Sequence, residues 1–203
     1  MNLIPRFYDI TDGRIEIDGI DIRKLALTDL RSRIGYVPQQ GRLFRGTVAS
    51  NIAFGTDHLS EESIEQAAST AQARTFIEER PDRYQFPIAQ GGSNVSGGQR
   101  QRLSIARALA PRPEILLFDD SFSSLDYRTE HALRSELKRN LTESTVIIVA
   151  QRISSILHAD MILVLEEGRL VGLGSHRQLM RECTVYRQIA QSQLSPEEME
   201  RYE

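Results

Sequence analysis

The sequence has almost no cysteine, no strong charge of either sign and no long apolar run, and each lack closes off a class of function. Its one cysteine, Cys183, cannot form an internal disulfide, which fits a reducing compartment. A formal charge of −3 over 203 residues supplies no whole-molecule field to gather nucleic acid or acidic lipid, so any basic site must be local. The longest apolar stretches, TVIIVA and MILVL, have the length of buried strands, far below the roughly 18 residues that a membrane helix needs. MNLIPRFYDI lacks the apolar core and small-residue cleavage site of a signal peptide. The chain is therefore expected to be cytosolic, with any membrane connection made through another segment or subunit. His58, His131, His158 and His176 show no metal-ligand spacing and read as surface or structural residues. No repeat, low-complexity tract or Pro/Gly-rich linker divides the chain, so one globular domain with a small insertion is the expectation.

What is present has the texture of an α/β protein. GRIEIDGIDI alternates apolar and polar residues around Asp18 and Gly19, as a hairpin with one solvated face does. IGYVP, EILLFDD and STVIIVAQ read as strands, and the last two are so nearly continuous in apolar residues that they predict parallel strands covered on both faces. YRTEHALRSELKRNL and RISSILHA follow them with helical patterns, which is the grammar of a parallel sheet. MILVLEEGRLVGLGS then predicts a second hairpin, HRQLMREC and VYRQIAQSQL two closing helices, and SPEEMERYE a solvated tail or frayed helix. Between IGYVP and EILLFDD, the stretches TVASNIAFG, SEESIEQAASTAQA and SGGQRQRLSIARALA all read as helical with no strand among them. Residues 45–110 are expected to form a helical insertion in a core made of 1–44 and 111–203.

Two stretches carry chemistry. EILLFDD places Asp119 and Asp120 just after a buried strand, at the carboxyl edge of the sheet where open α/β folds bind ligands. In nucleoside triphosphatases that position carries the Walker B aspartate that holds Mg²⁺, although an aspartate capping a turn would give the same string. In NVSGGQRQRLSIARALA, Ser96 and Gln99 have the spacing of a capping box. A cap does not ask for Gly97 and Gly98 at the first helical positions, where each costs up to about 1 kcal/mol relative to Ala. Glycines there let a ligand approach backbone amides and a helix dipole aimed at an anion. Arg100, Arg102 and Arg107 follow and read as a solvated or salt-bridged helix face.

With these residues the sequence resembles the nucleotide-binding domain of ABC transporters, over nearly its whole length. VSGGQRQR resembles the family signature, ILLFDD the Walker B strand, and Ser123, Ser124, Leu125 and Asp126 the D-loop. Gln39 in YVPQQ matches the Q-loop glutamine, and Gln151 in IIVAQR falls at the switch position, normally histidine. LFRGTVASNIAFG further resembles the exporter branch, in which this domain is fused behind six membrane helices and works as a dimer. The resemblance implies a P-loop NTPase core of ABC type, ATP and Mg²⁺ as cofactors, and a second nucleotide-binding domain and a transmembrane domain as partners. It also implies a place on the cytoplasmic face of the plasma membrane, and no nucleic acid. Gln39 would reach the Mg²⁺ and attacking water, and Asp119 would hold the metal through its water shell. Ser96, Gly97, Gly98 and Gln99 would bind the γ-phosphate of a nucleotide held by the opposite subunit, and Asp126 would couple the two sites.

The chain departs from the pattern at both catalytic positions. Asp120 stands where most active members have glutamate, one methylene short of the reach of about 2.6 to 3.2 Å that a general base needs, and losing such a base is worth about 10² to 10⁴ in rate. Gln151 replaces an imidazole with a neutral amide that can hydrogen-bond a phosphate but cannot carry a proton. Together they resemble the degenerate subunit of heterodimeric exporters, whose intact signature completes the partner's competent site. A P-loop, GxxxxGK[ST], is not found: the only lysines, Lys24 and Lys138, follow Arg and Leu. MNLIPRFYD resembles the helix that directly follows a P-loop, so the sequence is expected to start late, at an internal methionine or in a broken gene. The missing strand, about five large apolar side chains at about 1.5 to 3 kcal/mol each, rivals a domain's net stability of about 5 to 15 kcal/mol. The isolated chain is therefore expected to be marginally stable and inactive alone. The competing expectations are a non-catalytic interaction module or a pseudogene fragment. A nucleic-acid-repair ATPase of the same superfamily would call for a basic face or coiled-coil insertion that this sequence lacks.

Overall fold

A computed structural model describes residues 1–56, 58–195 and 197. After a turn-rich start, β1 (Glu16–Ile17) and β2 (Ile20–Asp21) form the first hairpin. Its turn holds Asp18 and Gly19 at φ 51° and 76°, the left-handed pair that a two-residue hairpin requires. Then come α1 (Leu27–Ser32), β3 (Ile34–Val37), β4 (Gly46–Thr47), α2 (Val48–Ile52), α3 (Glu61–Thr70), α4 (Arg74–Glu78), β5 (Pro87–Ile88) and α5 (Gly97–Leu109). The chain continues through β6 (Ile115–Asp119), α6 (Tyr127–Asn140), β7 (Thr145–Val149), β8 (Ile162–Glu166), β9 (Arg169–Gly174), α7 (His176–Glu182) and α8 (Thr184–Gln193). It divides into two compact units, Met1–Val149 and Ala150–Glu203.

In the first unit β3, β6 and β7 form a parallel sheet with β6 in the middle. Leu116, Leu117 and Phe118 of β6 are fully buried, and Leu116 and Phe118 belong to one core with Leu103 and Ile105 of α5, Leu133 of α6 and Ile52 of α2. The sheet comes so close to α5 at Gly35 that a Cβ there would lie 2.6 Å from the Ala108 carbonyl oxygen and 2.7 Å from Leu116 Cδ2. Three expectations need correction. β7 is not covered on both faces: it is an edge of this sheet, and Val146, Ile147 and Val149 are exposed. The helical stretch 45–110 also contains strands, since Gly46–Thr47 pairs antiparallel with Pro87–Ile88, two-residue pieces too short for periodicity to reveal.

The second unit packs one face of the β8–β9 hairpin on α7 and α8 through Ile162, Val164, Leu179, Tyr186 and Ala190. His176 is buried and shares a 2.8 Å hydrogen bond with the Tyr186 hydroxyl, a structural role, and burial pushes its imidazole below the usual histidine range. Cys183 is buried in the same cluster. The third correction falls here: RISSILHA forms only a 3₁₀ turn at Ile153–Ser155, consistent with the low helix propensity of its serines and isoleucines. Most of SPEEMERYE lies outside the described residues.

Gly35→Ala is expected to destabilise the first unit by about 1 to 3 kcal/mol, because the added methyl meets backbone and buried carbon that cannot swing away. The shift of the guanidinium unfolding midpoint measures it.

Candidate functional site

The carboxyl end of β6 is where the polar groups gather. Asp120 extends the sheet by one bond, its amide donating to the Val149 carbonyl (2.9 Å). It then turns sharply, at φ 47°, a left-handed conformation that Asp adopts more readily than most side chains. The Ser123 hydroxyl donates to the Asp120 carbonyl (2.8 Å) and closes the turn. Buried Ser121 donates to the Val37 carbonyl (2.8 Å), tying that turn to the end of β3. Phe122 stacks on Phe118 and Leu125 is buried, while Ser123 and Ser124 are exposed. Asp126 caps α6, accepting from the Thr129 amide (3.0 Å) and hydroxyl (2.7 Å). These bonds, the backbone one foremost, hold its carboxyl below the usual range.

Each of the adjacent aspartates takes one neutral donor from the segment that ends β3. The Tyr36 hydroxyl donates to Asp119 Oδ2 (3.0 Å) and the Gln39 amide donates to Asp120 Oδ2 (3.0 Å). Burial and then this bond push the Tyr36 phenol up. Neither aspartate forms an ion pair among the described residues. The donor set at this edge is oxygen only, two carboxylates and the Gln39 amide. That suits Mg²⁺, which binds through one or two carboxylates and keeps water and phosphate for its other positions. No group of three or more His, Cys, Asp or Glu among the described residues could hold a metal by itself.

The second group stands at the start of α5. Ser96 and Gln99 form the reciprocal capping box, at 3.2 and 3.1 Å. A Cβ on Gly97 would meet nothing within 4 Å, and one on Gly98 only the Ser124 carbonyl oxygen at 3.6 Å. Neither glycine carries a positive φ, so neither the backbone nor the packing of this chain demands a glycine at either place. Gln101, missed from the sequence, links this helix to the Gln39 segment. Its side chain is buried, accepts from the Gly41 amide (2.7 Å) and donates to the Pro38 carbonyl (3.1 Å). Its signal was a polar residue in the buried stripe 101, 104, 105 and 108, spaced i, i+3, i+4, i+7. Tyr36 carried no signal beyond strand alternation.

Arg107 is not the solvated or salt-bridged residue expected. It donates to the carbonyls of Asn51 (2.7 Å) and Arg42 (2.8 Å) and lies over the stacked rings of Phe44 and Phe54. Burial alone pushes it down to about 10. Arg102 likewise donates to the Gln72 carbonyl and covers Phe76. Gln151 belongs to the second unit, where it is exposed. Gln193 clips its segment, donating to the Gln151 carbonyl (2.9 Å) and accepting from the Ile153 amide (2.8 Å).

The family model described as ABC transporter matches residues 1–123. An ATP-dependent lipid A-core flippase of Desulfotalea psychrophila is 44% identical over 180 residues, which cover 89% of this chain and 32% of that protein. An uncharacterized ABC transporter ATP-binding protein of Mycobacterium tuberculosis is 43% identical over 196 residues, 95% of this chain and 33% of that one. A solved structure of a bacterial Atm1-family ABC exporter with ATP bound superposes with a TM-score of 0.90 at 41% identity, over 94% of this chain and 34% of that chain. The chain thus spans about a third of the length of the curated relatives it matches.

Gln101→Ala is expected to cost about 1 to 3 kcal/mol by stranding the buried Gly41 amide. Hydrogen exchange at that amide, faster in the variant than the global loss of stability explains, is the measurement that checks it.

Proposed function

Starting from the fact that this chain belongs to the ABC transporter family of ATP-binding domains, we propose that it is the ATP-binding portion of an exporter subunit, and of the degenerate half of a heterodimer. Residues 45–110 are its helical subdomain, and 1–44 with 111–203 its RecA-like core. The partner is a second nucleotide-binding domain. A transmembrane domain outside this sequence sets the place at the cytoplasmic face of the membrane. No helix among the described residues is long and apolar enough to cross one.

The observation that carries the reading is the pair of unforced glycines behind the Ser96 cap. Gly97 and Gly98 lower helix propensity and relieve no clash within this chain. Their bareness has a use if an anionic group from outside the chain comes against the α5 amides. The Ser96–Gln99 stretch would in this way complete a phosphate site whose other half lies on the partner.

At this chain's own site the residues favour holding over splitting ATP. Mg²⁺, when bound, supplies the positive charge that neutralises the phosphates. Asp119 would face it through water, with the Gln39 amide oxygen beside it. Asp120 lacks the reach of a glutamate, and its Oδ2 is already engaged by Gln39 (3.0 Å). Gln151 can donate to a phosphate oxygen but cannot take up a proton. Ser123 to Asp126 form the D-loop that couples the two sites.

A second reading uses the same Ser96–Gln99 helix end: a non-catalytic module that completes or regulates a partner's site without binding ATP. The reading frame in front of Met1 separates the two. A P-loop and membrane helices there support the exporter subunit, and their absence leaves the module.

Titration of the purified 203-residue chain with labelled ATP is expected to show no micromolar affinity, since these 203 residues contain no GxxxxGK[ST]. In the complete heterodimer, Asp120→Glu with Gln151→His is expected to raise turnover at this site, by up to about 10² to 10⁴ if the base alone limits it. Ser96→Arg is expected to abolish hydrolysis at the partner's site. Unchanged turnover in Ser96→Arg would overturn the assignment of this signature to the competent site.

A further inference from the structure

We propose that Tyr36 is a positioning residue that fixes the Asp119 carboxylate for the divalent cation. The proposal rests on the reading of Asp119 as the metal aspartate given above. In the parallel register Tyr36 stands opposite Leu117, so its side chain shares a sheet face with Leu117 and, two residues on, with Asp119. The ring reaches along that face and its hydroxyl donates to Asp119 Oδ2 at 3.0 Å. Asn2 Oδ1, the other acceptor within reach, is farther at 3.3 Å and neutral, so the charged carboxylate is the stronger claimant of the single proton.

The hydroxyl is held in place from behind. Phe7 packs edge-on against the Tyr36 ring, centroids 5.5 Å apart at 90°. Arg31 lies over Phe7 (5.5 Å) and pins the neighbouring chain through the Pro5 carbonyl (3.1 Å) and the Arg6 carbonyl (3.0 Å). The donor that meets Asp119 is therefore a rigid group on a buttressed ring rather than a free rotor. With Oδ2 held by the Tyr36 hydroxyl, Oδ1 would be the oxygen left to face the metal's water shell. Mg²⁺ demands near-ideal octahedral geometry, and hydrogen-bonded groups beyond the direct ligands that orient a metal site typically contribute 10- to 100-fold to metal affinity.

The test is Mn²⁺ binding in the presence of ATP, followed by electron paramagnetic resonance, on the complete subunit in its dimer. The partner's own metal aspartate is changed to asparagine so that only this site is read. Tyr36→Phe keeps the ring on Phe7 and removes only the hydroxyl. It is expected to weaken Mn²⁺ binding about 10-fold or more, with the melting temperature and the affinity for ATP in EDTA unchanged. A purely structural tyrosine would move the melting temperature instead. Equal Mn²⁺ affinity in wild type and Tyr36→Phe overturns the positioning role and leaves the ATP-binding reading intact. Wild type that holds no Mn²⁺ beyond that carried by free ATP overturns both.

Discussion

Strand β6 has no solvent side. Leu116, Leu117 and Phe118 are completely buried, with β3 on one edge, β7 on the other and helices α2, α5 and α6 contributing to the surrounding core. A strand in that position can change polarity only at its end, and there it does so abruptly, from Phe118 to Asp119 and Asp120. The sheet edge is where charge first becomes affordable, and it is also where the amide of Asp120 still pairs with Val149. The carboxylates are thus anchored to the buried central strand of the unit's parallel sheet.

From that edge the remaining polar groups follow as answers to specific needs. Asp119 and Asp120 need hydrogen-bond donors and receive neutral ones, Tyr36 and Gln39, from residues three apart on one segment. That segment must leave β3 in a defined direction. Gln101 sees to this by bonding the backbone on both sides of Gln39, at Pro38 and Gly41. Because Gln101 lies on α5, the helix that begins with Ser96, the Gln39 segment and the glycine end of α5 are mechanically joined. Neither can shift without breaking two bonds to a buried amide side chain.

The sequence made the longer strands, most helices and the β1–β2 and β8–β9 hairpins legible, because apolar runs, the Ser96–Gln99 capping box and the Asp18–Gly19 turn are local signals. Asp119, Asp120 and the Ser96–Gln99 box were equally local. What escaped depended on distant partners. Arg107 reads as a surface cation until Phe44, Phe54 and the Asn51 carbonyl are brought to it. Gln101 and Tyr36 acquire their roles only when β3, α5 and β6 meet. The apolar run of β7 was misjudged for a related reason. TVIIV reads as covered on both faces, and within its unit it is an edge.

Asp120 joins a backbone argument to a chemical one. At φ 47° the chain turns through a region where aspartate is several-fold enriched among non-glycine residues, so its choice there has a conformational reason before any catalytic one. The same shortness that suits the turn brings Oδ2 onto Gln39 and withdraws it from anything farther out. A glutamate at this position would carry the cost of the left-handed backbone to gain a methylene of reach, which is worth having only where a proton must be taken from water. An aspartate accepts the turn, gives up the reach and spends its carboxylate on holding Gln39. On the reading proposed above, that exchange suits a position that keeps its groups in place rather than one that moves a proton.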